Sequence, residues 1–189
     1  KTLTFLPNRQ VGVTTNLNQL MAGLEGKLPI KDWTWEAYVS HGETQADNDY
    51  IGFASLERYR AVVSAPFYGR GFTQTGAGQT RISCTSGLPI FESFEVSQDC
   101  IDAITVNATD RTRLTQDVVE ANAQGGVMDL PAGELRAAAG ATWRKNDFEF
   151  RPDSIRETNS IFDIPVSTFS NPTTRGGTDV KEIYAEALI

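Results

Sequence analysis

Four stretches of this chain alternate apolar and polar residues with a period of two, and that pattern limits the fold more than any other feature. From Gln19 to Leu28, Leu20, Ala22, Leu24, Gly26 and Leu28 alternate with Gln19, Met21, Gly23, Glu25 and Lys27. Trp33, Trp35, Ala37 and Val39 alternate with Thr34, Glu36, Tyr38 and Ser40. Val119, Ala121, Ala123, Gly125 and Val127 alternate with Glu120, Asn122, Gln124, Gly126 and Met128, and Leu135 to Arg144 repeats the pattern. Successive side chains of a strand point to opposite faces, so each stretch reads as a strand with one apolar face. Alanine favours helix, but Gly140 and the charges at Arg136 and Arg144 favour strand in the last stretch.

The connections alternate as well. Strand 19–28 joins strand 33–45 through Pro29-Ile30-Lys31-Asp32, and strand 115–129 joins strand 134–150 through Leu130-Pro131-Ala132-Gly133. Between these hairpins lies a long insertion over 46–112, and a second over 152–177 precedes a strand from Asp179. In an up-and-down meander every second connection falls on the same rim. Short turns on one rim and long loops on the other are the asymmetry of membrane β-barrels. The expected fold is therefore all-β: an antiparallel up-and-down meander forming part of a transmembrane β-barrel, with short helices in long extracellular loops. The spacing predicts one helix over Ile51–Val63 and a second over Ser97–Ile104 with Ser97 as N-cap. Residues 69–80, rich in Gly, Thr and Gln, are expected to be a mobile loop.

The apolar faces are built from Ala, Gly, Val and Leu, which suit a lipid-facing wall better than a packed core. Trp33 and Trp35 follow a short turn directly, and Trp143 lies eight positions beyond Leu135. At ~3.3 Å per residue and a tilt near 40°, that is a climb of roughly 20 Å. The tryptophans would then mark both boundaries of an apolar band, with Glu25, Lys27, Glu36, Glu120, Asn122, Gln124, Arg136 and Arg144 facing a wet lumen. The competing expectation is a soluble β-sheet whose tryptophans fill a core.

Charge and motifs narrow the function. Seventeen Lys and Arg against 24 Asp and Glu give a net charge of −7, against the basic surface that wraps nucleic acid. Cys84 and Cys100 enclose a Ser- and Thr-rich polar loop, which suits a disulfide made in an oxidising compartment; two unrelated thiols are the alternative. His41 is the only histidine, so the usual Cys/His zinc sets cannot be filled, and it falls near a strand end where a boundary role is expected. No G-x-S-x-G elbow and no P-loop ending is present. Asp47-Asn48-Asp49 lacks the Gly and distal Glu of an EF-hand loop. No enzyme, cofactor or metal is expected. The chain begins at Lys1 without a signal peptide and ends mid-pattern in KEIYAEALI, so a fragment of a longer protein is expected.

WTWEAYVSHGET, LERYRAVV, DLPAGELRAAAGATWRKNDFEFRPD and DVKEIYAEALI, spread between about Gln19 and Ile189, resemble the barrel region of proteobacterial TonB-dependent outer-membrane receptors. Paired loop cysteines are also common in that family. The resemblance implies a barrel of roughly 22 strands around an N-terminal plug. It implies import of a scarce small-molecule cargo (siderophore, cobalamin or another vitamin, haem, or oligosaccharide) driven by the TonB complex. The partners would be cargo, membrane lipid and TonB itself, the last through a plug. Residues 1–189 carry no plug and no TonB box, so the energy-coupling parts map onto no residue here. Cargo-facing candidates are Tyr68, Arg70 and Phe72 in the long loop and Arg136 and Arg144 on the lumen face. A soluble all-β ligand- or carbohydrate-binding module is the alternative function.

Overall fold

The structure is a computed structural model that describes residues 4–75, 81–88, 91–92, 94–157 and 163–189. Seven strands and three short helical elements follow in the order β1 (Gln10–Lys27), β2 (Thr34–Ala54), α1 (Leu56–Ser64), α2 (Pro66–Gly69), β3 (Phe72–Thr75), β4 (Arg81–Cys84), α3 (Gln98–Ile104), β5 (Thr105–Leu130), β6 (Gly133–Arg151) and β7 (Thr174–Leu188). β1, β2, β5, β6 and β7 form one sheet in that order, and β3 and β4 form a separate two-stranded sheet. The chain is all-β, and the five long strands make a meander. The sheet is open, with β1 and β7 as its edges, and no closed barrel is found among the described residues.

Two compact units divide the chain. A loop unit comprises Lys1–Thr14, Asp47–Arg111 and Arg151–Thr173; a sheet unit comprises Thr15–Ala46, Thr112–Phe150 and Thr174–Ile189.

In the sheet unit, cross-strand contacts fix which residues share a face. Tyr38 donates to Glu120 at 2.7 Å and Asn122 to Glu36 at 3.3 Å, while His41 meets Asp117 at 2.6 Å. Numbers fall on β5 as they rise on β2, so the pair is antiparallel. β6 and β7 pair from Arg136↔Leu188 to Phe150↔Thr174. One face therefore carries Trp33, Trp35, Ala37 and Val39 beside Val119, Ala121 and Ala123, with Ala137, Ala139, Ala141 and Trp143 opposite Ala187, Ala185, Ile183 and Lys181. Neither face is covered. Among the described residues of this unit only Gly125 and Gly126 are buried, and Leu24 and Ile183 are 74% and 88% exposed. The three tryptophans are half-buried, flanked by their own sheet rather than by a second layer.

Glycine placement in the strands has a steric cause. Trp33 lies across Gly125, and a Cβ there would collide with its indole; Tyr184 lies across Gly140 in the same way. The Trp33 indole N–H donates to the Gly126 carbonyl at 2.9 Å, and Gly126 N–H donates to Asp32 at 2.7 Å. Asp32 also pairs with Arg136 at 2.7 Å, which ties the first short turn to the start of β6.

The loop unit has the core that the sheet lacks. Val62, Cys84, Leu88, Cys100, Ala103 and Ile104 are buried together, with Tyr59, Val63, Phe72, Ile82 and Val96 packed around them. Cys84 and Cys100 form the disulfide, joining β4 to α3. A buried ion pair joins Asp110 to Arg156, whose guanidinium lies 4.3 Å from the Tyr50 ring centre. Asp153 holds this corner: it accepts from the Thr109 and Ile155 N–H groups at 3.0 and 3.1 Å, and its own N–H donates to Asp110 at 3.0 Å.

Several boundaries differ from the sequence expectation. Helix α1 starts at Leu56 rather than Ile51, because β2 runs on through Ala54 before Ser55 caps the helix by accepting from Arg58 N–H. Ser97 does precede α3, but its side chain makes no cap bond; it donates to Asp99 instead. β5 begins at Thr105, ten residues before the expected strand start at 115, and β7 begins at Thr174 rather than Asp179. Part of the expected mobile loop is ordered, since Phe72–Thr75 pairs with Arg81–Cys84; residues 76–80 lie outside the described residues.

Candidate recognition site

The most unusual backbone among the described residues is the turn from α1 into β3. Pro66 opens it, and the residue before a proline is driven to an extended conformation, as Ala65 is at φ −72°, ψ 157°. Phe67 and Tyr68 then both adopt left-handed φ, at 54° and 55°. Two successive bulky residues there are a true outlier, costing about 1–2 kcal/mol each. The surroundings enforce it. A Cβ on Gly69 would press into Val62, so only glycine lets the turn settle on the core. Leu88 N–H donates to the Tyr68 carbonyl at 2.8 Å, and Gly71 N–H to the Thr85 carbonyl at 3.3 Å.

Residues 84–88 are themselves pinned by the disulfide and by α3. Thr85 donates to Asp99 through its N–H and its hydroxyl, each at 2.8 Å. Ser97 N–H donates to the Ser86 hydroxyl at 2.9 Å. The hydroxyls of Ser97 and Thr85 hold the Asp99 carboxyl below its ordinary range by stabilising the anion.

This framework displays rings to solvent. Phe67 and Phe91 are 85% and 80% exposed. The Tyr68 and Phe91 rings meet edge to face, with centres 6.1 Å apart and planes at 69°. Arg70 is exposed in the same turn, and Arg58 and Arg60 lie on the adjoining α1. Among the described residues none of these three guanidinium groups has a carboxylate partner. By contrast Arg111, Arg113, Arg136, Arg144, Arg156 and Arg175 are all paired.

The five residues proposed from sequence thus separate. Tyr68 and Arg70 share the strained turn, whereas Phe72 packs against the loop unit's core. Arg136 and Arg144 belong to the sheet unit, Arg136 held by Asp32 and Glu134 and Arg144 lying 3.8 Å from Glu182. Phe67, Phe91, Arg58 and Arg60 were not singled out by sequence, although the run PFYGRGF concentrates aromatics among turn formers.

The sheet unit's polar face carries a second feature. An open depression of about 520 Å³ is lined in part by Glu25, Lys27, Glu36, Asn122, Gln124 and Tyr184. Asn122 donates to Glu120 at 2.8 Å and accepts from the Tyr184 hydroxyl at 3.1 Å, so half of the polar groups named are engaged with neighbours on the same face. On the other face the apolar belt gives way to charge: His41–Asp117, Glu43–Arg113 at 2.7 Å and Lys145–Asp147 at 2.8 Å follow Val39, Val119 and Trp143. The Trp143 indole donates to Asp179 at 3.0 Å at this transition. Among the described residues no group of three or more His, Cys, Asp or Glu could hold a metal ion. Asp47 and Asp49 lie within β2, bound to Arg111 and Thr109. No protein-family model matches the chain, and neither a curated protein nor a solved structure is significantly similar to it.

Proposed function

We propose that the chain is a wall segment, with its extracellular loops, of an outer-membrane receptor of the TonB-dependent kind, which binds and imports a scarce small molecule. The observation that carries this is the sheet's bare apolar face and where it ends. Across β2, β5 and β6 the belt of Ala, Val and Trp stops at one level and ion pairs begin. A water-facing sheet has no reason to segregate in this way, whereas a lipid-facing wall flanked by aromatic girdles does. Strand length adds support. The five strands of the sheet run from 15 to 26 residues, while ~9–11 suffice to cross a bilayer, which leaves chain to extend beyond the membrane.

In this reading the polar face of Glu36, Glu120, Asn122 and Tyr184 looks into the lumen, and Tyr68 and Arg70 are the foremost cargo candidates. The test is reconstitution into vesicles whose acyl chains carry bromine at graded depths. Quenching of Trp33 and Trp35 from one boundary and of Trp143 from the other is expected. A chain that stays monomeric without detergent, with all three tryptophans unquenched, overturns the membrane assignment in favour of a soluble binding module. The transport half is tested by uptake in receptor-bearing cells with and without a working TonB complex; equal uptake overturns it.

A further inference from the structure

We infer that Phe67, Tyr68 and Phe91, with Arg70, form a preorganised platform for an anionic small molecule that carries a flat aromatic ring. This rests on the receptor reading and names the chemical class of its cargo. Three independent observations converge on the platform. Phe67 and Phe91 stand 80% or more exposed although the unit has an apolar core of its own, and their rings lie on one framework, whereas Phe169, at 82%, is exposed elsewhere in the chain. The backbone under Phe67 and Tyr68 is held left-handed by contacts that contribute nothing to burying those rings. Strain of this kind persists only where surrounding structure imposes it, and it collects at recognition sites. Finally, Arg58, Arg60 and Arg70, like Arg9 over the Phe53 ring, lack carboxylate partners among the described residues, in a chain of net charge −7 where six other arginines are paired.

The chemistry follows from the groups. The edge-to-face Tyr68–Phe91 pair leaves ring faces open, and a further ring can stack there in offset or edge geometry. Arg70 presents a planar fork that pairs with a carboxylate and can also stack. A neutral sugar would use the rings and leave the guanidinium idle; a saturated anion would use the guanidinium and leave the rings bare. Only a ligand with both features uses the whole platform.

The test employs the full chain in detergent micelles with three probes: 1-naphthoate, the neutral 1-naphthalenemethanol, and the non-aromatic anion cyclohexanecarboxylate. Titration calorimetry is expected to show 1-naphthoate binding at least tenfold more tightly than either control. Phe91→Ser and Arg70→Gln should each weaken it tenfold or more, with the disulfide and the near-ultraviolet circular dichroism unchanged. Phe67→Asn separates fold from function, because asparagine tolerates left-handed φ. It should raise the loop unit's melting temperature while weakening 1-naphthoate. Equal affinity for the three probes, or 1-naphthoate binding untouched by Phe91→Ser and Arg70→Gln, overturns the inference. So does loss of binding to phosphatidylglycerol vesicles alone in those variants, which would make the patch a lipid contact. Tryptophan quenching in brominated bilayers is read on the same variants, so failure here leaves the receptor reading standing and failure there is seen separately.

Discussion

The two units of this chain solve the problem of burying apolar surface in opposite ways. The loop unit gathers Val62, Ile104 and the disulfide into a small core, although Phe67, Phe91 and Phe169 stay exposed. The sheet unit, with longer and more regular strands, buries only two glycines among its described residues. Regular secondary structure is thus not what makes a region self-sufficient. The inner strands of the sheet saturate their backbone hydrogen bonds, while β1 and β7 each keep an open edge; on the proposed membrane reading those edges meet further strands and the apolar face meets lipid. The loop unit carries its own core; the sheet unit is intelligible only together with its surroundings.

The sharpest way to break this contrast is to cut the same kind of side chain from each unit. Ile104 is fully buried, so Ile104→Ala should cost the loop unit about 2–5 kcal/mol. Leu24→Ala in the sheet should change unfolding in detergent by less than about 0.5 kcal/mol. Chemical denaturation followed separately by near-ultraviolet signal and by strand content would resolve the two. Equal costs would mean that the sheet has a hidden core and that the division is wrong.

A second comparison sets the two faces of one strand against each other. Ala121 lies on the apolar face, midway between the levels of Trp35 and Trp143, and Asn122 beside it on the polar face. Arginine at the bilayer midplane on a lipid face costs about 2–4 kcal/mol and is tolerated in a lumen. Ala121→Arg should therefore abolish most insertion into vesicles, measured by flotation with lipid, while Asn122→Arg inserts normally. If the two behave alike, the faces are not chemically distinct to the membrane.

Smaller, and local to the sheet, is the effect of filling the space under an aromatic ring. The Trp33 indole occupies the position a Cβ on Gly125 would need. Gly125→Ala should force the ring off its strand and break the Trp33–Gly126 hydrogen bond, costing about 1–3 kcal/mol as other overpacking does. A red shift of Trp33 emission would report it. Gly12, where an added methyl group would meet nothing within 4 Å, is the control, and Gly12→Ala should leave emission and stability unchanged.

The sheet was legible in the sequence because alternation is a local signal. Each strand announces its faces within ten residues, and the short turns at Pro29–Asp32 and Leu130–Gly133 announce their partners. Strand ends were less legible. β5 extends back to Thr105 through TVNATDRTR, where only Val106 and Ala108 are apolar on the buried side and ion pairs of Arg111 and Arg113 with β2 take over beyond them, too short a pattern to mark the strand. The loop unit was the least legible part, because its order comes from contacts distant in sequence. Asp110 and Arg156 are 46 positions apart, and Gly87, inside the disulfide loop, packs against the backbone of Tyr68 and Arg70. Of the recognition platform, sequence offered Tyr68 and Arg70 by their place in a loop, and placed Phe72 with them. The structure turns Phe72 onto the core because it pairs with Cys84 on β4. No local pattern could have revealed that Phe91 meets Tyr68.

The smallest expected effect is one of pH, and it belongs to the loop unit alone. Hydroxyl groups of Ser97 and Thr85 and the Thr85 N–H stabilise the charged form of Asp99, so its carboxyl titrates lower in the folded chain than in the unfolded one. A depressed carboxyl contributes stability that is fully present above the unfolded value, about 3.9. That contribution is lost as pH falls through the lower folded value, because the unfolded chain takes up its proton first. Asp99 lies at the surface within reach of solvent, whose screening keeps the contribution small. Asp99→Asn should lower the loop unit's melting temperature slightly at pH 7. Between pH 5 and pH 3 the variant should lose less than the parent, so that the two curves converge in acid. Melting of the sheet signal should follow the same course in both proteins. Parallel curves for parent and variant would show that the Asp99 bonds do not report on folding of the loop unit, and convergence in the sheet signal as well would show that the two units unfold as one.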